Sequence, residues 1–379
     1  MPPIKKQTHA LYSLCFQDDP AFTDAYFKHL YAPQQNVAIL RKGEVVSALQ
    51  LIPTAIRISN HTQGVATSYI SGVCTHPSYR GKGLMHTLME RTLRKLYKKG
   101  DCFATLIPAN ERLFNSYASS GFTRCFDYSV EIITIPSSAI QSITSITSVS
   151  VSSDFSRWSY DPIEVSPETL TYTWIQKNRE LISEYYIDER RNYQGYQYGF
   201  TNFWNLLLDD MKLYGGECCQ AITPDHLLVG SAICYPQKGY VMIYALTADS
   251  PKIRKELIRQ VSMHYQTPEI HIITEPEERL NILPLGMARI VNADQLLQQY
   301  VMHHPQLETA FTLSDPIIPE NNQTYILSGD GRLIHATYPA TLVNIEQLTQ
   351  AVLGYQLKRL PKVLQNFSPG LPYMHLMLN

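Results

Sequence analysis

The spacing of apolar positions changes period several times along the chain, and each period predicts an element. Over residues 20–31, Phe22, Ala25, Tyr26 and Leu30 recur at helical spacing. The runs QNVAILRK and EVVSALQLIPTAIRI then read as strands joined by a turn at Lys42 and Gly43. A third strand, VATSYISGVCTH, leads through Pro77 into a short basic loop. From Gly83 to Lys99, Leu84, Leu88, Met89, Leu93, Leu96 and Tyr97 share one face, while Arg91, Arg94, Lys95, Lys98 and Lys99 lie largely outside it. Gly100 ends that helix. CFATLIP reads as a short buried strand, a helix follows over Glu111 to Ser119, and Gly121-Phe122 open a final pair of strands ending near Pro136.

A similar order then recurs. Residues 137 to 153 are mostly Ser and Thr, a linker or exposed-edge composition, and the first boundary belongs there. A Tyr-rich helix pair over Pro167 to Gln194 precedes the strands HLLVGSAICYP and GYVMIYALTA, the helix SPKIRKELIRQV and the strand EIHIITEP. The strand-to-helix junction from Ala248 to Ile253 contains no glycine. A third unit starts near Met287. Its pattern is a helix over ADQLLQQYVMHHP, the strands TAFTLSD, TYILSG and RLIHATY, and a helix over IEQLTQAVLGY. The last stretch, Gln365 to Asn379, is apolar and punctuated by prolines, which suits a tail tucked into protein.

Composition narrows the function classes. A length of 379 residues favours two or three domains, and 44% hydrophobic with 17% charged residues describes a folded chain with a buried core. The net charge of −1 leaves no global field for nucleic acid or an anionic membrane, so neither is an expected partner. The 7 cysteines include no C-x-x-C pair, so we expect reduced packing thiols and no metal site. The stretch Ala10 to Phe16 is interrupted by Ser13 and closed by Asp18 and Asp19, which argues against a signal peptide, and no window is long enough to span a membrane. A cytoplasmic location is the expectation.

The strongest chemical signal is GVCTHPSYRGKGLMHTLME, residues 72–90. A strand runs through Arg80-Gly81-Lys82-Gly83 directly into a helix, where unpaired backbone N–H groups converge and favour phosphate. The glycines admit a pyrophosphate close to the backbone, and Arg80 and Lys82 add positive charge. Neither G-x-x-x-x-G-K-[ST] nor G-x-G-x-x-G is met, since His86 holds the last position. Asn110, Tyr117 and Gly121-Phe122 follow the next strand in the order N-x6-Y-x3-G-F.

With these two motifs at this separation, residues 10–135 resemble the GNAT superfamily of N-acetyltransferases, in which R/Q-x-x-G-x-G/A binds the pyrophosphate of acetyl-CoA. The resemblance implies that Val73, Cys74 and Thr75 splay from the neighbouring strand and pair with the pantetheine arm. It also implies that Arg80, Gly81, Lys82, Gly83, Leu84, Met85, His86 and Asn110 bind the cofactor, and that Tyr117 protonates the leaving thiolate. Met85 departs from the small residue expected at the end of the motif. R-x-x-G-L-M is similar to the three-domain branch named for the enhanced intracellular survival protein of mycobacteria. That likeness implies an α/β (α+β) fold class: a catalytic GNAT domain over 1–137, a GNAT-like domain without the cofactor loop over 138–285, and a domain like sterol carrier protein over 286–379. The branch often forms ring-like homo-oligomers, a state this sequence permits.

Acetyl transfer to an amine needs a proton for the thiolate and a base for the amine. A tyrosine is protonated at neutral pH. No Asp or Glu stands in VATSYISGVCTH, where only His76 lies near. In the resembled branch the free C-terminal carboxylate is the base, here that of Asn379. The expected function is acetyl transfer to a primary amine of a small molecule or peptide. An acyl-CoA sensor or lipid carrier without turnover is the alternative. The tail Tyr373 to Asn379 carries no acidic side chain, which favours an amine less charged than an aminoglycoside, although Asp18, Asp19 and Asp24 stand near the first helix.

Overall fold

The computed structural model describes residues 3–59, 64–136, 166, 169–175, 196–199, 201–225 and 227–375. Packing divides the chain into two compact units, one of residues 1–127, 191–200 and 284–379 and the other of residues 128–190 and 201–283. The 286–379 segment therefore packs in the same unit as the segment bearing the phosphate-loop sequence.

The first unit opens on α1 (Ile4–Phe16) and α2 (Pro20–His29). Ala10–Phe16, read above only against a signal peptide, is the second half of α1. Its start is hidden in sequence because Pro3 supplies no capping side chain, and its inner face is narrow, with Thr8, Leu11 and Tyr12 buried. The entry to α2 is better marked: Asp19 accepts from the Ala21 amide at 2.7 Å and Pro20 begins the helix. The strands β1 (Asn36–Arg41) and β2 (Glu44–Ile56) form the expected hairpin, with Lys42 and Gly43 both at positive φ in its turn.

β3 (Val65–Thr75) pairs antiparallel with β2 and parallel with β4 (Phe103–Leu106). α3 (Leu84–Lys99) and α4 (Glu111–Ala118) follow the expected periodicity. The sheet of this unit is completed by β7 (Tyr196–Gly199), β12 (Ile282–Ile290), β17 (Tyr373–His375) and the start of β5 (Thr123–Thr134), in the order β17-β7-β2-β3-β4-β12-β5. Leu88, Met89, Leu93 and Leu96 of α3 are buried against Leu49, Ile70, Leu106 and Tyr117. The remaining elements are α7 (Ala293–His303), β13 (Thr309–Ser314), β14 (Thr324–Ser328), β15 (Arg332–Ala336), β16 (Leu342–Asn344) and α8 (Ile345–Leu353). Their strands form a second sheet in the order β15-β14-β13-β16.

The second unit carries β6 (Thr171–Ile175), α5 (Thr201–Tyr214), β8 (Glu217–Ile222), β9 (Leu228–Pro236), β10 (Val241–Ala248), α6 (Pro251–His264) and β11 (Glu269–Thr274). α6 lays Ile253, Leu257, Ile258 and Val261 on Val229, Ala232, Cys234 and Ile243. Its N-terminus is closed by Ser250, whose Oγ accepts from the Ile253 amide at 3.3 Å, with Pro251 as the first helical residue. No residue from Ala248 to Pro251 has positive φ.

Two expectations change. The final pair of strands is one strand, β5, because Thr123–Thr134 holds no glycine, proline or asparagine to turn the chain. Within the expected helix pair, Thr171–Ile175 is a strand, since its β-branched and aromatic side chains suit a pleated surface; residues 176–194 lie outside the described residues, as does the linker at 137–153. No described helix is long and apolar enough to cross a membrane.

Leu93 is fully buried at the centre of the α3 interface. Leu93→Ala is expected to lower the unfolding free energy by about 2–5 kcal/mol, read as a lower urea midpoint with an unchanged far-UV spectrum.

Candidate active site

The site is built on a strand that outruns its neighbour. β3 pairs with β4 only over Thr67–Tyr69 opposite Phe103–Thr105, so Ile70–Thr75 continue with no described strand on that side. On the other side the β2 register shifts between Ala48 and Gln50, and two residues, Gly72 and Val73, face Leu49. Gly72 has a φ of 61°, and an added Cβ would stand 3.1 Å from the Tyr12 ring and 3.4 Å from the Tyr26 hydroxyl. This is a glycine bulge, which bends the strand where backbone groups become free to pair with something other than a strand.

Past the bulge, successive side chains of β3 separate. Val73 packs on the cluster of α3 and α4, whereas Cys74 packs with Leu11, Val45 and Ala48. The Ser47 hydroxyl donates to the Cys74 carbonyl at 3.0 Å and shares a 2.8 Å hydrogen bond with the Thr75 hydroxyl. Arg80 turns back on the strand: its Nε donates to the Thr75 carbonyl at 3.0 Å, and its Nη2 lies 3.7 Å from the Cys15 sulfur.

Between β3 and α3 the chain makes a 3-10 turn over Pro77–Tyr79 and then the Arg80–Gly83 loop. Gly81 and Gly83 have φ values of 73° and 72°, and an added Cβ at either would meet no described residue within 4 Å. Both glycines therefore answer to backbone conformation rather than to packing, and the described residues leave the space over them open. The amides of Leu84, Met85 and His86 precede the first bond of α3, from the Thr87 N–H to the Gly83 carbonyl at 3.1 Å, and Gly83 provides no capping side chain. The Lys82 ammonium donates to the Ser78 carbonyl at 3.0 Å and lies over the Tyr79 ring. Leu84 and Met85 turn into the core and His86 is exposed. Free amides at the positive end of a helix, open glycines and two cations fit a pyrophosphate.

Tyr117 lies on α4, whose N-terminus is capped by Asn110: the Asn110 side chain accepts from the Leu113 amide at 3.2 Å. Asn110 thus acts here on the helix that carries the tyrosine. Tyr117 is buried beside Phe122, and the described residues give its hydroxyl no hydrogen-bond partner. Burial pushes its hydroxyl up to about 12, with a further push from Cys74, so the phenol stays protonated. Asn379 lies outside the described residues. The nearest described part of the tail is β17, where Met374 reaches the end of β4: a Cβ added to Gly286 would stand 3.0 Å from its Cε and 3.2 Å from the Leu106 carbonyl.

His76 is occupied. Its Nδ1 accepts from the Ser78 amide at 3.3 Å, which leaves the proton of the neutral ring on Nε2 and no free lone pair. Sequence reasoning missed the face formed by α1 and α2. Tyr12 stacks on Phe16 and Tyr26, and the Tyr26 hydroxyl meets Ser71 at 2.8 Å. It also missed Cys15, whose thiol donates to the Thr75 carbonyl at 3.5 Å. Only the spacing of Leu11, Tyr12 and Cys15 along α1 carried a signal.

A family model described as an acetyltransferase (GNAT) domain matches residues 5–128. This segment has the acetyltransferase fold of the GNAT superfamily. No curated protein matches the chain in sequence. Among solved structures, a conserved protein of unknown function from Enterococcus faecalis V583, described as a probable N-acyltransferase, superposes with a TM-score of 0.76 at 17% identity, covering 98% of this chain and 96% of that one. A GCN5-related N-acetyltransferase from Anabaena variabilis gives 0.75 at 17% over the same shares. Eis1 from Mycobacterium abscessus gives 0.72 at 13% identity, again over 98% and 96%. The fold likeness thus extends well beyond the GNAT domain segment.

In this GNAT segment Cys15 is the thiol most open to attack. Contact with Cys74 and then the Arg80 guanidinium hold it well below the ordinary cysteine range, against burial, which raises it. Iodoacetamide at pH 7 is expected to alkylate Cys15 ahead of the buried cysteines, and Arg80→Ala to slow that reaction, as read by peptide mass mapping.

Proposed function

We propose that the protein is an acetyl-CoA-dependent N-acetyltransferase acting on a primary amine. The observation that carries this reading is the meeting of three features along β3: the stretch beyond its β4 ladder, the Gly81–Gly83 loop at its end, and a protonated phenol at Tyr117 with no hydrogen-bond partner among the described residues. Val73, Cys74 and Thr75 then take the pantetheine arm, and Arg80 through His86 hold the pyrophosphate. Acetyl-CoA supplies an activated thioester carbonyl. Tyr117 donates its proton to the sulfur as the carbon–sulfur bond breaks and the new carbon–nitrogen bond forms. The Asn379 carboxylate takes the proton that the amine loses, so the products are the amide and free CoA thiol.

Two observations support the tail as the source of the base. His76 has its Nδ1 lone pair engaged. Met374 already borders the end of β4, and the five residues from there to Asn379 span at most about 17 Å when extended. The same reading divides the chain into a catalytic domain over 1–137, a GNAT-like domain over 138–285 and a sterol-carrier-like domain over 286–379, as in the three-domain branch resembled above. The likeness to Eis1 over 98% of the chain supports this. The capped, glycine-free start of α6 supports a second domain without cofactor.

The acceptor is an amine of low charge. Asp18 accepts from Tyr12 at 3.0 Å, Asp19 caps α2 and Asp24 meets His9 at 2.9 Å, so each of these carboxylates already has a partner.

Tyr117→Phe is expected to lower kcat for CoA release roughly 10²- to 10⁴-fold, and a short extension beyond Asn379 to do likewise, while His76→Ala retains most activity. Normal rates in both of the first two overturn this mechanism. Acetyl-CoA binding with no CoA release across a panel of amines favours the sensor instead. The deprotonation that disables a general acid is displaced upward at Tyr117, so kcat is expected to show no alkaline fall through about pH 10, the ordinary tyrosine value.

A further inference from the structure

Gly121 stands three residues past Ala118, the last residue of α4, at a φ of 80°, and the space its side chain would fill is taken. An added Cβ would stand 2.0 Å from Nη1 of Arg289. Arg289 comes from β12 and is fully buried, as is its partner Asp315. Its Nη2 donates to Asp315 Oδ1 at 2.6 Å, and its Nη1 donates to the Ser120 carbonyl at 2.7 Å. Ser120 belongs to the turn that Tyr117 itself closes. The Ser120 N–H donates to the Tyr117 carbonyl at 2.9 Å, and the Phe122 N–H to the same carbonyl at 3.4 Å.

The far side of the pair is equally constrained. Asp315 Oδ1 also accepts from the Ile317 and Ile318 amides at 2.9 and 3.0 Å, and Oδ2 accepts from Asn321 Nδ2 at 2.9 Å. Ile317 and Ile318 are buried in the cluster that contains Tyr117 and Phe114. Such a pair is a poor choice for stability alone, because desolvating both ions offsets much of their attraction, and here the Arg289 Nε is buried with no hydrogen-bond partner among the described residues. What the pair does supply is position. α4 has only eight residues, too few to hold its own geometry, and its two ends are held by Asn110 and by Arg289. A cation at the helix C-terminus also opposes the negative end of its dipole.

We propose that Arg289, oriented by Asp315, is the positioning residue for Tyr117: it holds the end of α4 so that the phenol stands where the departing sulfur needs its proton. This rests on the functional reading above, and it makes the 284–379 part of the chain a determinant of the acid as well as a source of the base. Arg289 touches neither substrate nor reacting atoms, so its effect passes through Tyr117 alone.

The test is a double-mutant cycle of Arg289→Lys and Tyr117→Phe in the full chain, with kcat, KM for acetyl-CoA, the acetyl-CoA Kd and the melting temperature measured for each variant. Arg289→Lys is expected to lower kcat roughly 10- to 100-fold, the penalty of displacing a catalytic group by about 1 Å, with the acetyl-CoA Kd changed less than twofold. In the Tyr117→Phe background the same change is expected to have no further effect on kcat. Losses that multiply in the double variant, or a normal kcat in Arg289→Lys, overturn the inference and leave the functional reading standing. A normal rate in Tyr117→Phe, or no CoA release by the wild-type chain with any amine, overturns the functional reading itself and this inference with it. Should Arg289→Lys not fold, Asp315→Asn enters the same cycle with the same expectations, and failure of both to fold assigns the pair to stability alone and overturns the proposal.

Discussion

The parallel ladder between β3 and β4 stops after Tyr69 and Thr105, and most of the site follows from that stop. A parallel strand buried on both sides has all its backbone groups committed to neighbours, and such a strand offers nothing to a ligand. Here β3 runs on for six residues beyond the ladder, bent by the bulge at Gly72, and ends beside the glycine loop. The bend depends on what lies over it. Tyr12 and Tyr26 occupy the space a side chain at residue 72 would need, so the aromatic face of α1 and α2 and the conformation of β3 are one packing solution.

β4 is only four residues long, and its other edge is held by β12, where Met287–Ile290 run antiparallel to Phe103–Leu106. The strand that leaves β3 is thereby kept in place by a segment far away in sequence. The same segment supplies Arg289, whose buried charge is tolerable only because Asp315 and the Ser120 carbonyl accept from it together. Burial elsewhere has the opposite use. At Tyr117 it disfavours the phenolate and so preserves a proton.

A strand, turn and helix can lead into a closed helix start as well as an open one, as the second unit shows. β10 and α6 repeat the outline of β3 and α3, but Ser250 caps the helix and Pro251 removes one donor. At the start of α3 the residues are Gly81 and Gly83, both left-handed and both facing space that no described residue fills, and the amides that follow have no acceptor among the described residues. The difference is decided by residue type at three or four positions rather than by topology.

The sequence by itself determined the elements with strong periodicity and the local chemistry at their ends: the face of α3, the hairpin turn at Lys42 and Gly43, the glycines of the loop, and the placement of Tyr117 on the helix that Asn110 begins. These depend on contacts within a few residues, and spacing encodes them directly. α1 was illegible because nothing caps its start, and β5 does not read as one strand because its alternation is broken where the adjacent Cys125 and Phe126 are both buried. The tertiary structure alone decided that β3 outruns β4, that Arg80 folds back on Thr75 beside Cys15, that His76 spends its lone pair on a backbone amide, and that Arg289 lies under Gly121. Each of these joins backbone or charge to a partner whose nearness is set by packing, and a charge's partner in a low-dielectric interior leaves no periodic mark on the chain.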